Sequence, residues 1–224
     1  MFDEVKNLTD YALRNYTKFS RKNFVEKDEN LLLRNYLENL YTLDILEQCF
    51  TAEHKTQLKA LDIGSKNWFY VRGEHAYFKS ISDDLSLDGV EVDAYRLYSN
   101  FYSRYETAKF YQRGLKNTNY IVGNLLDISQ KYDYIVWLLP FVTKEPLRLW
   151  GLPQRFFMPQ KLLRHAYNLL NSKGQMLIVN QGVEEAKIQK GMLDDLDIKY
   201  TEKRIVKSKF LEYKNDRYAF VVKK

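Results

Sequence analysis

The chain has 224 residues, 45% of them hydrophobic and 15% aromatic, which is enough to bury a large core and excludes an intrinsically disordered protein. Its single cysteine, Cys49, excludes an internal disulfide, and no apolar run reaches the roughly 18 residues that a membrane span requires. The formal net charge of +6 favours an encounter with an anionic partner, but the 35 basic residues are interleaved with 29 acidic ones, so charge alone does not identify a nucleic-acid-binding protein.

The N-terminal part of the chain is predicted to be helical. Apolar side chains recur at three- and four-residue spacing over residues 8–19 and again over residues 32–50. We expect residues 1–55 to form an N-terminal helical extension and residues 56–224 to form the main domain. The aromatic side chains of these helices are interpreted as core or docking contacts, with a part in a substrate pocket as the alternative.

The cysteine and the N-terminus bear on the compartment. Cys49 lies in a helical apolar stretch, which favours a buried, unreactive thiol over a nucleophile. The first ten residues contain early acids and no apolar signal-type segment. We therefore expect a cytoplasmic protein.

Residues 58–72 have the pattern of a strand, a sharp turn and a helix. Residues 58–63 are mostly apolar, Gly64 permits the turn, and a helix is predicted to begin near Lys66 and to run to about Ser80. A helix N-terminus exposes unpaired N–H groups and a partial positive charge. This turn is therefore a candidate seat for a nucleotide-like ligand.

Strands and helices alternate through the rest of the chain. Strands are predicted at residues 85–92, 119–123, 132–139 and 175–180, helices at 95–114, 159–171 and 184–194, and two closing, antiparallel strands at 196–206 and 216–224. Gly174 is predicted to cap the helix that precedes it. The alternation predicts an α/β fold with a doubly wound, mostly parallel seven-stranded sheet and helices on both faces. Ligands bind such sheets at the carboxyl ends of the strands, so the loops that begin at Gly64, Glu91, Gly123 and Leu139 are the candidates.

Five motifs in this order resemble the class I, Rossmann-like S-adenosylmethionine-dependent methyltransferases over about residues 58–224. They are ALDIG at 60–64, GVEVD at 89–93, IVGNLLDI at 121–128, YDYIVWLLP at 132–140 and LLNSKGQMLIVNQG at 169–182. The resemblance implies S-adenosylmethionine as the cofactor and methyl transfer as the reaction.

The same resemblance assigns cofactor-binding residues. Asp62, Gly64 and Ser65 would form the first loop beside the methionyl part, and Glu91 would accept hydrogen bonds from the ribose hydroxyls. Asn124, Leu125 and Asp127 would lie beside the adenine. The alternatives are a solvated acid at a strand end for Glu91 and a helix cap or turn former for Asp127.

The first loop departs from the pattern of that family, which reads acid-x-Gly-x-Gly-x-Gly. Lys66 and Trp68 stand where the second and third glycines are expected, and those glycines let the backbone approach a ligand closely. The two side chains reshape the pocket or close it, so a non-catalytic binding or scaffold protein with this fold is an alternative. Lys66 is interpreted as an exposed lysine, with pairing to the cofactor's carboxylate as the other interpretation.

Residues 144–158 are predicted to form a wall of the acceptor site. Trp150, Arg155, Phe156 and Phe157 offer stacking surface and a charge to a small planar acceptor or an unpaired nucleotide, or else belong to the core. A further alternative is an RNA methyltransferase, in which the net positive charge of the chain would favour RNA binding.

The sequence lacks the patterns that several other reactions require. Residues 138–141, Leu-Leu-Pro-Phe, lack the polar group that methyltransferases acting on exocyclic amines of bases carry there, so that reaction is disfavoured, and an oxygen, another nitrogen or a carbon stays open as the acceptor atom. His54, His75 and His165 have no metal-ligand spacing, so we expect no metal site. No catalytic acid or base is assigned, because methyl transfer from a sulfonium proceeds largely through alignment and desolvation.

Overall fold

A computed structural model describes Asp3 and residues 29–224, so the helix predicted over residues 8–19 lies outside the described residues. The helices are α1 (Glu29–Cys49), α2 (Val71–Ser80), α3 (Arg104–Tyr111), α4 (Lys144–Leu149), α5 (Pro159–Leu169) and α6 (Gly182–Asp195). The strands are β1 (Lys55–Ile63), β2 (Ser82–Glu91), β3 (Thr118–Val122), β4 (Tyr132–Leu138), β5 (Leu170–Gln181), β6 (Tyr200–Ile205) and β7 (Arg217–Lys223). Two 3₁₀ turns cover Leu125–Asp127 and Gln154–Phe156.

The strands form one seven-stranded sheet in the order β3-β2-β1-β4-β5-β7-β6. The first five strands of this order are parallel, and β7 runs antiparallel to both β5 and β6. The chain moves outward from β1 to β3 and then crosses to β4 on the other side of β1. This confirms the predicted sheet and places the reversal of strand order between β1 and β4, where ligands bind in such folds.

Apolar residues on both faces of the central strands build two cores. Ala60 of β1 belongs to the core beneath α1 and α2, whereas its neighbour Leu61 belongs to the core that includes residues of α5 and α6. Both residues are fully buried, as expected for successive side chains of a strand covered on both faces. The helices therefore cover both faces, as predicted.

Helix α1 is packed tightly against α2. A Cβ added to Gly73 of α2 would lie 2.2 Å from the backbone oxygen of Asn39, so only glycine permits this approach. The Asn39 side chain accepts a hydrogen bond from the Gly73 N–H at 2.9 Å and donates one to the Phe69 carbonyl at 2.9 Å. Helix α1 is thus joined to the segment that connects β1 to α2.

The helix predicted to begin near Lys66 begins instead at Val71. Gly64, Lys66 and Trp68 have φ values of 75°, 54° and 47°, which an α-helix does not tolerate. The Gly73 N–H in the first turn of α2 donates to the Asn39 side chain of α1, and the turn at Gly64, the predicted ligand site, is separated from this helix start by residues 65–70.

Two further boundaries differ from the predictions. Helix α3 begins only at Arg104, because Ser103 and Glu106 form a capping box and Phe101 has a φ of 64°. Residues 95–103 of the helix predicted over 95–114 are therefore not helical. Gly174 lies inside β5 and caps no helix, since β5 follows α5 directly and bulges where its pairing with β4 is interrupted.

None of the helices in the part of the chain that the structure describes combines the length and apolar character needed to cross a membrane.

Candidate active site

A pocket of about 490 Å³ opens at the carboxyl ends of the parallel strands. One end of it is lined by Gly64 after β1 and Glu91 of β2, and the other by Gln181 of β5 and Arg217 of β7. These ends are called the β2 end and the β7 end below. Strands β2 and β7 are four places apart in the sheet, so the pocket spans about 19 Å at the usual spacing of about 4.8 Å per strand. That size is typical of a site for a small molecule.

The first loop keeps the backbone shape that glycine favours, although two of its three expected glycines are replaced. Gly64, Lys66 and Trp68 all take left-handed conformations, with φ between 47° and 75°. The N–H groups of Gly64 and Ser65 both donate to the Val90 carbonyl, at 2.9 and 3.2 Å, which holds the loop against β2. A non-glycine residue in this conformation costs about 1–2 kcal/mol, so the rest of the fold must enforce it.

Trp68 does not fill the pocket. Its side chain is fully buried, and its ring would lie 2.8 Å from a Cβ added at Gly89 of β2. The indole N–H donates to Oε2 of Glu74 at 2.8 Å. The Trp68 side chain therefore packs in the core and leaves the pocket open.

Glu91 is a buried carboxylate at the β2 end of the pocket, with 5% of its surface exposed. Its Oε2 accepts the Lys66 N–H at 2.9 Å and its Oε1 accepts the Asp93 N–H at 2.7 Å. Nη1 of Arg104 lies 3.8 Å from Oε1. The burial excludes the alternative of a solvated acid, and the two backbone donors fix the orientation of the carboxylate.

Asp62 and Ser65 lie beneath the first loop and do not line the pocket. Ser65 Oγ donates to the Asp62 carbonyl at 3.1 Å, and Asp62 Oδ2 accepts the Tyr70 hydroxyl at 3.0 Å. Burial raises the pKa of Asp62 to about 7, and burial together with the nearby Asp62 raises the pKa of Glu74. This part of the site is a buried acid cluster behind the loop.

The turn after β3 brings Asn124 and Leu125 to the pocket, whereas Asp127 does not line it. Asn124 caps the 3₁₀ turn, because its Oδ1 accepts the Leu126 N–H at 3.0 Å. The Gly123 N–H donates to the Glu91 carbonyl at 3.0 Å, which places the turn beside Glu91.

The predicted acceptor wall contributes Trp150 and Phe156 to the pocket, while Arg155 and Phe157 lie outside its lining. Trp150 stands at the β2 end, since the Arg104 guanidinium lies 4.5 Å and the Lys66 ammonium 5.1 Å from its ring. Burial and the neighbouring Arg104 lower the pKa of Lys66. The exposed helix-start position expected for Lys66 is therefore incorrect, and its side chain lines the pocket.

The β7 end of the pocket contains residues that the sequence did not indicate. Helix α1 contributes Glu38, Tyr41, Thr42 and Ile45, and the chain around β7 contributes Tyr213 and Arg217. Both oxygens of Glu38 are engaged, one by Arg34 at 2.7 Å and the other by the Tyr213 hydroxyl. The sequence analysis interpreted the aromatic side chains of the N-terminal helices as core or docking contacts, with a part in a substrate pocket as the alternative, and it did not single out these residues.

Within the described ranges, no cluster of three or more His, Cys, Asp and Glu side chains is arranged to hold a metal ion.

No protein-family model matches the sequence. No curated protein sequence is significantly similar to it.

Solved structures are similar in fold. A SAM-dependent methyltransferase from Aquifex aeolicus superimposes with a TM-score of 0.55 at 17% identity, covering 84% of this chain and 90% of that one. The plantazolicin methyltransferase BpumL, solved in complex with SAH, gives a TM-score of 0.52 at 15% identity, covering 99% and 98%. A cyclopropane-fatty-acyl-phospholipid synthase-like protein from Lactobacillus casei gives 0.66 at 10% identity, with 100% of both chains covered. The chain thus has the Rossmann-like fold of the class I S-adenosylmethionine-dependent methyltransferases.

Proposed function

We propose that the protein is a methyltransferase that uses S-adenosylmethionine to methylate a small-molecule or nucleotide acceptor. The observation that carries the proposal is the Glu91 carboxylate, buried at the end of β2 and aimed by two backbone N–H groups at the edge of the pocket. A carboxylate in this position has lone pairs left for two vicinal hydroxyls, as a ribose presents them.

The residues around Glu91 fit the cofactor. Gly64 and Gly123 leave open space, since a Cβ added at either would meet no atom within 4 Å. We assign Gly64 to the methionyl part and Asn124 with Leu125 to the adenine, and all three line the pocket.

The other residues implied by the resemblance receive supporting roles in this proposal. Asp62 and Ser65 hold the first loop from beneath through the hydrogen bonds that they share with each other and with Tyr70. Asp127 closes the turn that carries Asn124, because its N–H donates to the Asn124 carbonyl at 3.0 Å.

The bound cofactor would supply an electrophilic methyl group on a sulfonium. The chain's own contribution is to align the acceptor and exclude water, and apolar residues such as Ile63, Leu138 and Pro140 line the pocket where β1 and β4 end. No polar side chain is present among residues 138–141 to orient an exocyclic amine of a base. This composition supports an acceptor other than such an amine.

Calorimetry with S-adenosylhomocysteine tests the proposal. The wild-type protein is expected to bind it, and Glu91→Gln should bind about 10- to 150-fold more weakly, since hydrogen bonds to a charged group contribute about 1.5–3 kcal/mol. Glu202→Gln on β6, which loses a carboxylate of the distant sheet edge, should bind like the wild type. Unchanged affinity of Glu91→Gln would remove Glu91 from the site. No heat or thermal shift with the wild type at millimolar ligand would favour the non-catalytic alternative.

A further inference from the structure

Arg217 is a buried cation at the β7 end of the pocket and forms no ion pair with the residues that the structure describes. Its side chain lines the pocket, and 9% of the residue is exposed. Nη1 donates to Oε1 of Gln181 and to the Asn215 carbonyl, both at 3.3 Å, and the guanidinium lies 4.2 Å from the centre of the Tyr213 ring. Among the ion pairs of the described residues none includes Arg217, and its Nε and Nη2 make no hydrogen bond to these residues.

Tyr41 of α1 adds a second unpaired donor at the same end. The residue is 6% exposed and lines the pocket, and its hydroxyl has no hydrogen-bond partner in the described part of the chain. Burial raises the pKa of this hydroxyl, and the nearby Arg217 opposes that rise, so the two groups lie close together. Because the Tyr41 O–H and the Arg217 N–H groups converge at this end, an oxygen atom of a ligand could accept hydrogen bonds from both.

The acids at this end do not fill that role. Glu38 is paired with Arg34 at 2.7 Å and with the Tyr213 hydroxyl, so its charge is already compensated. Glu185 accepts the Gln181 N–H at 3.1 Å and forms no ion pair with Arg217. Burial raises the pKa of Glu185, and the charge of Arg217 acts in the opposite direction, so the two side chains interact electrostatically without forming an ion pair. The Arg217 guanidinium therefore lines this end of the pocket without a carboxylate hydrogen-bonded to it in the described part of the chain.

The surface next to these donors is apolar. Ile45 of α1, Leu138 of β4 and Val179 of β5 line the same pocket as Arg217 and Tyr41. A ligand that satisfies the site therefore combines an anionic head with an apolar body of small size.

We propose that the β7 end of the pocket binds a methyl acceptor that carries an oxyanion group, a carboxylate or a phosphate monoester, and that Arg217 and Tyr41 donate hydrogen bonds to it. The proposal rests on the methyltransferase function proposed above, because the acceptor must share the pocket with the cofactor held at the β2 end. Arginine suits this role because its planar fork matches the geometry of both anions.

The test measures binding of benzoate, phenyl phosphate and the uncharged benzamide, by calorimetry with and without S-adenosylhomocysteine. The wild type should bind one of the anions at least about tenfold more tightly than benzamide, as expected for hydrogen bonds to a charged group. The stronger of the two anions identifies the head group. Equal affinity for the anions and benzamide, or no binding of the anions at millimolar concentration, would overturn the proposal.

Variants assign the preference to named atoms. Arg217→Gln should remove most of the preference for the anion, Arg217→Lys should retain part of it, and Arg164→Gln, which removes an exposed arginine of α5, should leave it intact. Tyr41→Phe removes only the hydroxyl and should weaken anion binding severalfold, so it decides the question if Arg217→Gln does not fold. An unchanged anion preference in Arg217→Gln or Tyr41→Phe would overturn the assignment. Binding of S-adenosylhomocysteine without anion binding would refute this inference alone, and the reverse pattern would refute the proposed cofactor alone.

Discussion

Asn39 joins α1 to the rest of the molecule, and replacing it tests whether that joint stabilises the fold. Its side chain is fully buried and takes part in three hydrogen bonds, with the Asn35 carbonyl at 2.8 Å, the Phe69 carbonyl at 2.9 Å and the Gly73 N–H at 2.9 Å. Asn39→Ala removes all three. Each bond contributes about 0.5–1.5 kcal/mol net, so we expect a loss of about 2–4 kcal/mol in the free energy of unfolding.

Urea denaturation followed by tryptophan fluorescence measures this loss, and a thermal melt should show a decrease of about 4–16 °C in Tm for a domain of this size. Asn168→Ala is the matched control, because Asn168 is exposed on α5 and its side chain forms no hydrogen bond with the described residues. It should stay within about 0.5 kcal/mol of the wild type. A similarly small effect of Asn39→Ala would refute the conclusion that these contacts hold α1 in place.

Three further predictions concern the buried core. Burial holds the pKa of Asp62 at about 7, so the folded protein keeps a proton that the unfolded chain releases, and stability should fall as pH rises from about 4 to 7. Asp62→Asn should flatten that dependence in urea titrations at several pH values, and an unaltered slope would contradict the assignment. Gly89→Ala places a Cβ 2.8 Å from Trp68 and should destabilise the protein by about 1–3 kcal/mol in the same assay, whereas wild-type stability would show that the ring moves freely. Burial raises the pKa of Cys49 to about 12, so a thiol reagent should label it only when urea unfolds the chain, and rapid labelling of the native protein would show that it is accessible.

The sheet could be predicted because strands that are buried on both faces have continuous apolar runs in the sequence. The run over residues 132–138 is apolar at nearly every position, which a strand covered on both faces requires, and it became the central strand β4. The beginnings of α2 and α3 could not be predicted from periodicity. They depend on left-handed residues such as Lys66 and Phe101 and on the capping box of Ser103, and these local features override an apolar pattern that continues through them.

The sequence predicted the parts of the candidate site that follow the ends of β1 to β4, but not its β7 end. Gly64 comes directly after β1 and Glu91 is the last residue of β2, so their place at the edge of the sheet follows from topology. Tyr41 and Arg217 reach the pocket because α1 packs in the core that it shares with α2 and the central strands, and because β7 is inserted next to β5. Neither arrangement leaves a local pattern, since an aromatic residue in an amphipathic helix and an arginine at the start of a strand occur in many proteins without ligands.

The left-handed conformations of Lys66 and Trp68 show that the backbone shape of a motif is kept here although its residues have changed. The first loop keeps its backbone conformation although two of the glycines that usually permit it are replaced. The packing of the Trp68 indole against Gly89 and the hydrogen bond from the Lys66 N–H to Glu91 stabilise this conformation. Consensus patterns based on glycine will therefore overlook chains of this kind. The backbone torsion angles after the first strand identify such chains where a glycine pattern does not.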